Sequence, residues 1–171
     1  MPEPKSHLSN RPLLERIVHF IPGFKGYLDR DNRREADALQ RHFLAERLQR
    51  SKRGIDGASR QWVDAGLLDR LPACDRLRAQ LDKLIGRIQG AMQGYSGVFD
   101  LVQIDERLLD RVYDFDLKLV EKVEHLADQI EKLPAASPDT TAAVALGPIT
   151  AEVAAVEQLW DQRAEILKGV D

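Results

Sequence analysis

Three glutamate–histidine pairs are the residues of this sequence best suited by type to bind a metal ion. The members of each pair are four residues apart, in Glu15/His19, His42/Glu46 and Glu121/His125. On a helix this spacing places both side chains on one face, but it is also the spacing of solvent-exposed charge pairs. The di-iron sites of four-helix bundles use Glu-x-x-His motifs instead. None of the three pairs has that form, so we expect no metal, no cofactor and no metal-dependent catalysis.

Other catalytic chemistry has little support in the sequence. The single cysteine, Cys74, excludes an internal disulfide bond and a cysteine-based zinc site. No histidine is matched to it, so we interpret it as a small buried side chain. The chain has no Gly-x-Ser-x-Gly elbow, no phosphate-binding Gly-Lys-Ser/Thr loop and no dinucleotide-binding glycine motif. The sequence therefore predicts a protein that is not an enzyme.

Apolar residues recur at helical spacing along most of the chain and predict an all-α fold. One seam alternates steps of four and three residues, which is typical of a helix packed lengthwise on another: Leu44, Leu48, Ser51, Ile55, Ala58 and Trp62. Similar stripes cover residues 77–92, 101–133 and 149–167. Aromatic residues make up only 6% of the chain, which also favours helix. We expect an elongated, coiled-coil-like antiparallel bundle of about four long helices with a short N-terminal helical arm.

Capping and breaking residues set the predicted boundaries. A capping box of Asn32 and Glu35 predicts the start of the first long helix. The prolines and small polar residues after Leu133 predict a linker at about 134–147, with the last helix starting at Pro148. The domains are then an arm over 1–31 and a bundle over 32–171. Gly54 and Gly57 interrupt the first seam, and we expect a straight helix there because a neighbour approaches closely, rather than a kink.

Charge is distributed unevenly along the chain, whose overall net charge is −3. Residues 1–60 hold 13 Lys/Arg against 8 Asp/Glu, and residues 61–171 hold 12 against 20. A basic stretch is expected to lie beside the acidic helix that carries Asp105, Glu106, Asp110, Asp114 and Asp116; its residues are Arg41, Arg47, Arg50, Lys52, Arg53 and Arg60. Within it, Arg47, Arg50, Lys52 and Arg53 form a candidate basic patch. The carboxylates of residues 100–116 are expected to form a solvated face. Binding of nucleic acid through Arg41–Arg60 is disfavoured, since few aromatic residues accompany the arginines and acidic residues interrupt them.

The N-terminal arm combines apolar and basic residues and is the main candidate for contact with a membrane or a partner. Its candidate residues are Leu13, Leu14, Ile17, Val18, Phe20, Ile21, Phe24 and Lys25. The alternative is that the arm folds back and caps one end of the bundle, with Phe24 and Tyr27 packed on the core. The first twenty residues lack a signal peptide, and no 18-residue apolar run is present to span a membrane. We expect a cytoplasmic protein, with peripheral attachment to the inner face of a membrane left open.

Three motifs carry a resemblance to known proteins. They are Ile-Pro-Gly-Phe-Lys-Gly-Tyr over 21–27, Arg-Arg-Glu-Ala-Asp over 33–37, and Gly-Tyr-Ser-Gly-Val-Phe-Asp over 94–100. Over residues 13–133 the chain resembles a set of small uncharacterised bacterial all-helical proteins, from which no activity is implied. In architecture it is also similar to membrane-stress coiled-coil proteins, which combine an amphipathic N-terminal helix with a long helical hairpin.

The function expected from the sequence is that of a non-enzymatic adaptor or scaffold, because long helical faces suit contacts with another protein. Homo-oligomerisation is left open. The alternative is a peripheral membrane-surface protein anchored by residues 11–28 on an anionic membrane. Nucleic-acid binding and a metal-dependent enzyme are ranked below both.

Overall fold

The computed structural model describes residues 11–90, 106–133, 137 and 139–168. Within these residues there is no β-strand, which confirms the predicted all-α class. A short 3-10 turn covers Leu68–Arg70. The six α-helices are α1 (Arg11–Phe20), α2 (Arg30–Ser51), α3 (Arg53–Asp64), α4 (Leu71–Gly90), α5 (Glu106–Glu131) and α6 (Ala142–Leu167).

Four long helices form a closed ring in the order α2, α4, α6, α5. Ion pairs between helices show their directions. Arg78 of α4 pairs with Asp56 of α3, and Lys52 pairs with Asp82, so α4 runs antiparallel to α2 and α3. Likewise α6 runs antiparallel to α5, because Glu152 pairs with Lys122 while Arg163 pairs with Asp116.

On the other two sides of the ring the neighbouring helices run parallel. These neighbours are not consecutive in the chain, so the four long helices still alternate in direction along the chain, as predicted. Lys83 and Arg87 of α4 both contact Glu157 of α6, and Arg87 also contacts Asp161 one turn later. Helices α2 and α5 are also parallel, because Gln40 and Asp116 meet at the hydroxyl of Tyr27, whereas Arg47, later in α2, pairs with Glu124 and Glu131, later in α5. Consequently α4 and α5, which follow one another in the described chain, lie on opposite corners of the ring.

The predicted seam over 44–62 is confirmed, since all six of its residues are buried. The chain is nevertheless not one straight helix there: α2 ends at Ser51 and α3 begins at Arg53. The close neighbour expected at the glycines is found at Gly54. A Cβ atom at Gly54 would lie 2.0 Å from the carbonyl oxygen of Ile130, so only glycine allows α3 to approach the backbone of α5 this closely.

Two predicted helix starts were wrong. Asp29, rather than Asn32, caps α2, and its carboxylate accepts hydrogen bonds from the backbone N–H of Asp31 and the side-chain amide of Asn32. Thr141 caps α6, so Pro148 lies inside this helix and residues 142–147 belong to it rather than to the linker. The motif over 94–100 and the first residues of the stripe over 101–133 lie outside the described residues.

The N-terminal arm packs against the bundle through α1 and the loop that follows it. Helix α1 lies along α5. Ile17, Ile21, Phe24 and Tyr27 are all at most 3% exposed and belong to the same core as the long helices. This is the arrangement in which the arm folds back onto the bundle.

Helix α6 is long and apolar enough to cross a membrane by length and composition alone, with a mean hydropathy of 1.2 over its best 18-residue window. This differs from the expectation from the sequence that no segment is apolar enough to span a membrane. Core helices of soluble proteins pass the same test, and α6 packs against both α4 and α5. Only 22% of that window is buried, however, so much of its apolar surface faces outward.

Candidate functional site: a polar core and an apolar end

A cluster of polar residues is buried where the arm, α2, α5 and α6 meet. We call this cluster the polar core; it consists of Tyr27, Asp37, Gln40, Arg41, Asp116 and Arg163, each at most 8% exposed. Arg163 is at its centre, because its guanidinium lies 2.7 Å from Asp116 Oδ1 and 2.9 Å from both Asp37 Oδ1 and Gln40 Oε1. Arg41 pairs with the other oxygen of Asp37 at 2.7 Å. Two carboxylates and two guanidiniums therefore neutralise one another away from water.

Hydrogen bonds from the backbone of Tyr27 fix the loop before α2 next to the polar core. The backbone N–H of Tyr27 donates to Tyr113 Oη at 2.8 Å, and its carbonyl oxygen accepts from Arg33 Nε at 2.8 Å. Gly26 next to it has a φ of 81°, and a Cβ atom there would lie 2.2 Å from Tyr113 Oη. The loop can therefore take this path only with glycine at position 26.

The electrostatics of the polar core favour a structural role over a catalytic one. Burial, together with the nearby charge of Asp116, raises the pKa of Tyr27 well above its ordinary value, so its hydroxyl stays protonated. Tyr27, Gln40 and Asp116 have no exposed surface. A substrate cannot reach these groups while the arm is docked.

The opposite end of the bundle is open and apolar. There α3 ends while α4 and α6 begin, and Arg70 Nη1 donates to the carbonyl oxygen of Thr140 at 2.7 Å to join the two segments. Three of the large apolar side chains exposed on the described surface lie here: Val63 (49% exposed), Leu68 (58%) and Val144 (66%). We call the surface formed by Val63, Leu68, Val144 and the adjoining groove the apolar end.

The groove lies between the first halves of α4 and α6 and has a volume of about 460 Å³. Small side chains line it, namely Ala73, Ala142, Ala143 and Gly147. Polar residues at its margin include Asp69, Arg76 and Gln80, so both signs of charge are present. A groove with a small-residue lining and a polar margin has the form of a binding site for an apolar helix face.

The outward face of α6 carries no charge over its first half. The one charged residue of that half is Glu152, and Glu157 follows at the start of the second half. Glu152 accepts hydrogen bonds from Lys122 and His125, which lowers its pKa, and Glu157 pairs with Lys83 and Arg87. Both carboxylates are thus paired with side chains of neighbouring helices.

The predicted arm residues are placed mainly inside the molecule. Leu13, Leu14 and Phe20 are partly buried against the core, while Ile17, Ile21 and Phe24 are fully buried. Only two of the eight remain exposed: Val18, at 38%, and Lys25, which lies 3.7 Å from Glu35. The apolar face proposed for a membrane or a partner is therefore covered by the bundle.

The predicted basic patch is used largely for pairing between helices. Arg47 is 9% exposed, and α5 surrounds it with three carboxylates at 2.8–3.0 Å: those of Glu124, Asp128 and Glu131. Lys52 pairs with Asp82, and Arg53 lies 3.6 Å from Glu131. Arg50 is exposed.

Charge matching with α5 was predicted, but the wrong carboxylates were named. The parallel course of α2 and α5 brings Arg47 to the C-terminal half of α5 instead of to residues 105–116. Asp114 pairs with Lys118 on its own helix, and Asp110 is half-buried. Asp116 is not solvated but fully buried. Asp105 and the side chain of Glu106 lie outside the described residues.

The predicted glutamate–histidine pairs behave mainly as surface charges. His42 contacts Glu46 at 3.4 Å, but Glu15 pairs with Arg11, and Glu121 pairs with Arg16. Across the described ranges, no group of three His, Cys, Asp or Glu side chains is close enough to hold a metal ion. Cys74 is buried in the apolar core, as interpreted from the sequence.

Sequence reasoning missed both the polar core and the apolar end. One signal for the core was available, since Arg163 is a charged residue one turn after Trp160 on a predicted apolar face. The apolar end gave no comparable signal because Val63, Leu68 and Val144 lie off the apolar stripes. Comparison with known protein families, with curated proteins and with solved structures found no match for this chain.

Proposed function

We propose that the protein is a non-enzymatic adaptor that binds an amphipathic helix of another protein at its apolar end. Two observations carry this proposal: three large apolar side chains are exposed at this end of the bundle, and a groove lies between α4 and α6, whose lining residues Asp69 and Ala143 are chain neighbours of Leu68 and Val144. Exposed apolar residues that cluster on a folded protein mark interaction surfaces, whereas isolated ones do not.

A helix is the occupant that best fits the groove. The two helices that form it, α4 and α6, run parallel, so the groove is straight and follows their axes. Small side chains at Ala73, Ala143 and Gly147 allow a third helix to approach closely, since the distance between packed helices depends on the side chains between them. Leu68 and Val144 can then contact apolar residues spaced three and four apart on the incoming helix.

The polar margin supports a partner with charges of both signs along the flanks of its apolar face. Asp69 and Arg76 lie on the same groove. Charged groups at the margin of an interface set register and association rate more than affinity. Most of the affinity should therefore come from the apolar contacts.

The proposal is tested by site-specific photo-crosslinking in the native host. A photoreactive residue at position 144 should capture a discrete partner, and the crosslinks should map to one segment whose apolar residues follow helical spacing. Gln162 provides the matched control, because it is exposed on the same helix at the opposite end of the bundle. Equal capture at both positions, crosslinks to an extended segment, or no adduct at position 144 would contradict the proposal.

Two other functions, homo-oligomerisation and peripheral membrane binding, predict different experimental results. If the crosslinks join position 144 to a second copy of the chain, the surface mediates homo-oligomerisation. Peripheral membrane binding through the arm is a weaker proposal, since Ile17, Ile21 and Phe24 are buried. It predicts that the protein floats with anionic liposomes and that a Val18→Asp/Leu28→Asp variant, which changes the arm's exposed apolar residues, does not.

A further inference from the structure

The hydroxyl group of Tyr27 is held by one side chain from each of three bundle helices. It lies 2.6 Å from Asp116 Oδ2 of α5, 2.7 Å from Gln40 Oε1 of α2 and 3.1 Å from Arg163 Nη2 of α6. The hydroxyl has one proton, and a carboxylate is the stronger acceptor, so it donates to Asp116. Arg163 donates to the hydroxyl in return.

The ring of Tyr27 is held by aromatic side chains. Tyr113 of α5 stacks on it at 5.7 Å between ring centroids with an interplanar angle of 18°. Phe24 meets it edge-on at 5.4 Å. Phe24 belongs to the arm, whereas Tyr113 lies on α5. The bundle itself therefore offers both features that a phenol requires, which are the aromatic surface of Tyr113 and a paired acceptor and donor for the hydroxyl.

The groups around the hydroxyl are held in place without Tyr27. Arg163 Nε donates to Asp116 Oδ1 at 2.7 Å, and Arg163 Nη2 donates to Gln40 Oε1 at 2.9 Å. Each of these side chains would keep a partner if Tyr27 left. Asp116 Oδ2 would lose the donor that Tyr27 supplies to it, so the empty site would present an acceptor suited to another hydroxyl.

We propose that α2, α5 and α6 form a preformed binding site for a phenol, and that Tyr27 occupies it as a ligand tethered by the arm. Docking of the arm is then an intramolecular binding equilibrium. Release of the arm opens a site that takes a phenolic compound or a tyrosine side chain from another molecule. This inference is independent of the function proposed for the apolar end.

The test uses the full-length Tyr27→Ala variant with p-cresol, which is the side chain of tyrosine as a free molecule. Toluene is the matched control because it has the same ring and methyl group but no hydroxyl. A ligand that binds only the folded state raises the thermal midpoint of the protein, and at equal ligand concentrations the tighter ligand raises it more. We expect p-cresol to bind the variant about tenfold more tightly than toluene, since hydrogen bonds to charged groups distinguish the two. The wild-type protein, whose site is occupied, should show no such preference.

Equal effects of p-cresol and toluene on the variant would overturn the proposal, as would no effect of either. If Tyr27→Ala does not fold alone, p-cresol and not toluene should restore its helical circular dichroism, and failure of both would also overturn it. Hydrogen exchange of the wild-type protein provides a second measurement. The amides of α1 and its following loop should exchange through an opening that leaves α5 and α6 protected. Exchange of the arm only with global unfolding would mean that the site never opens.

Discussion

The two ends of the bundle use polar and apolar residues in opposite ways. At one end charged residues are buried, and Arg163 is 2% exposed although it lies on the most apolar helix. At the other end apolar residues are exposed, and Val144 on the same helix is 66% exposed. The buried charges are all paired, so that end is closed. The exposed apolar side chains have no such cover among the described residues, and this is the end at which we propose that a partner binds.

The largest expected effect comes from removing the centre of the polar core. Arg163→Met should lower the free energy of unfolding by about 3–5 kcal/mol, because Asp116 and Asp37 would keep buried charge without their shared partner. Urea unfolding followed by circular dichroism measures this loss. The control is Arg53→Met, whose side chain is 74% exposed, and its effect should stay below about 0.5 kcal/mol. Similar small losses for both variants would show that the polar core is not a structural centre.

A smaller loss is expected where α3 crosses α5. Gly54→Ala should destabilise the protein by about 1–3 kcal/mol, because the new methyl group would meet the backbone at Ile130, which cannot move aside without shifting α5. The matched control is Gly86→Ala in α4, where nothing lies within 4 Å of the new Cβ atom. That change should stabilise the protein by about 0.4–1 kcal/mol. A stabilising Gly54→Ala would mean that the two helices are not in close contact.

The polar core also predicts a dependence on alkaline pH. The pKa of Tyr27 is raised in the folded protein, so the phenol of the unfolded chain, with a pKa of about 10, ionises first as the pH rises. The stabilisation that the neutral, buried phenol contributes is fully present below about pH 10 and is lost at higher pH. The urea midpoint should therefore decrease more between pH 8 and pH 11 for the wild-type protein than for Tyr27→Phe. An equal decrease for the two proteins would contradict the assignment of a neutral, buried Tyr27.

The smallest effect on stability is expected at the apolar end. Leu68→Asp/Val144→Asp changes two side chains that are more than half exposed, so the free energy of unfolding should change by no more than about 0.5 kcal/mol per site. Thermal unfolding measures the change. A loss of several kcal/mol would show that these residues are part of the core and not a free surface.

The sequence was sufficient to predict the helical class and the core-facing residues, because burial follows helical periodicity. The seam over 44–62 and the stripe over 149–167 were located correctly for this reason. Periodicity does not report which helices are neighbours, so the parallel pairing of α2 with α5 and the true partners of Arg47 were missed. The proline at 148 was read as a helix start because its lack of an N–H favours the first turn. The cap at Thr141 moves that start six residues earlier.

The two candidate sites were not predictable because each depends on the three-dimensional arrangement. Tyr27, Gln40, Asp116 and Arg163 are far apart in the chain, and no local pattern marks them as partners. The apolar end depends on which apolar side chains remain exposed once the helices have packed. A single sequence does not contain that information. The contact made by the arm was not predictable either, since its amphipathic pattern fits a membrane surface and the bundle equally well.

The central claim is that binding takes place at the apolar end and not at the arm. Its most direct test is calorimetric titration of the partner helix, once identified by crosslinking, against two folded variants. Leu68→Asp/Val144→Asp should weaken binding at least about tenfold, whereas Val18→Asp/Leu28→Asp, which alters the exposed apolar residues of the arm, should bind like the wild-type protein. Unchanged affinity for the first variant, or a comparable loss for the second, would contradict the account.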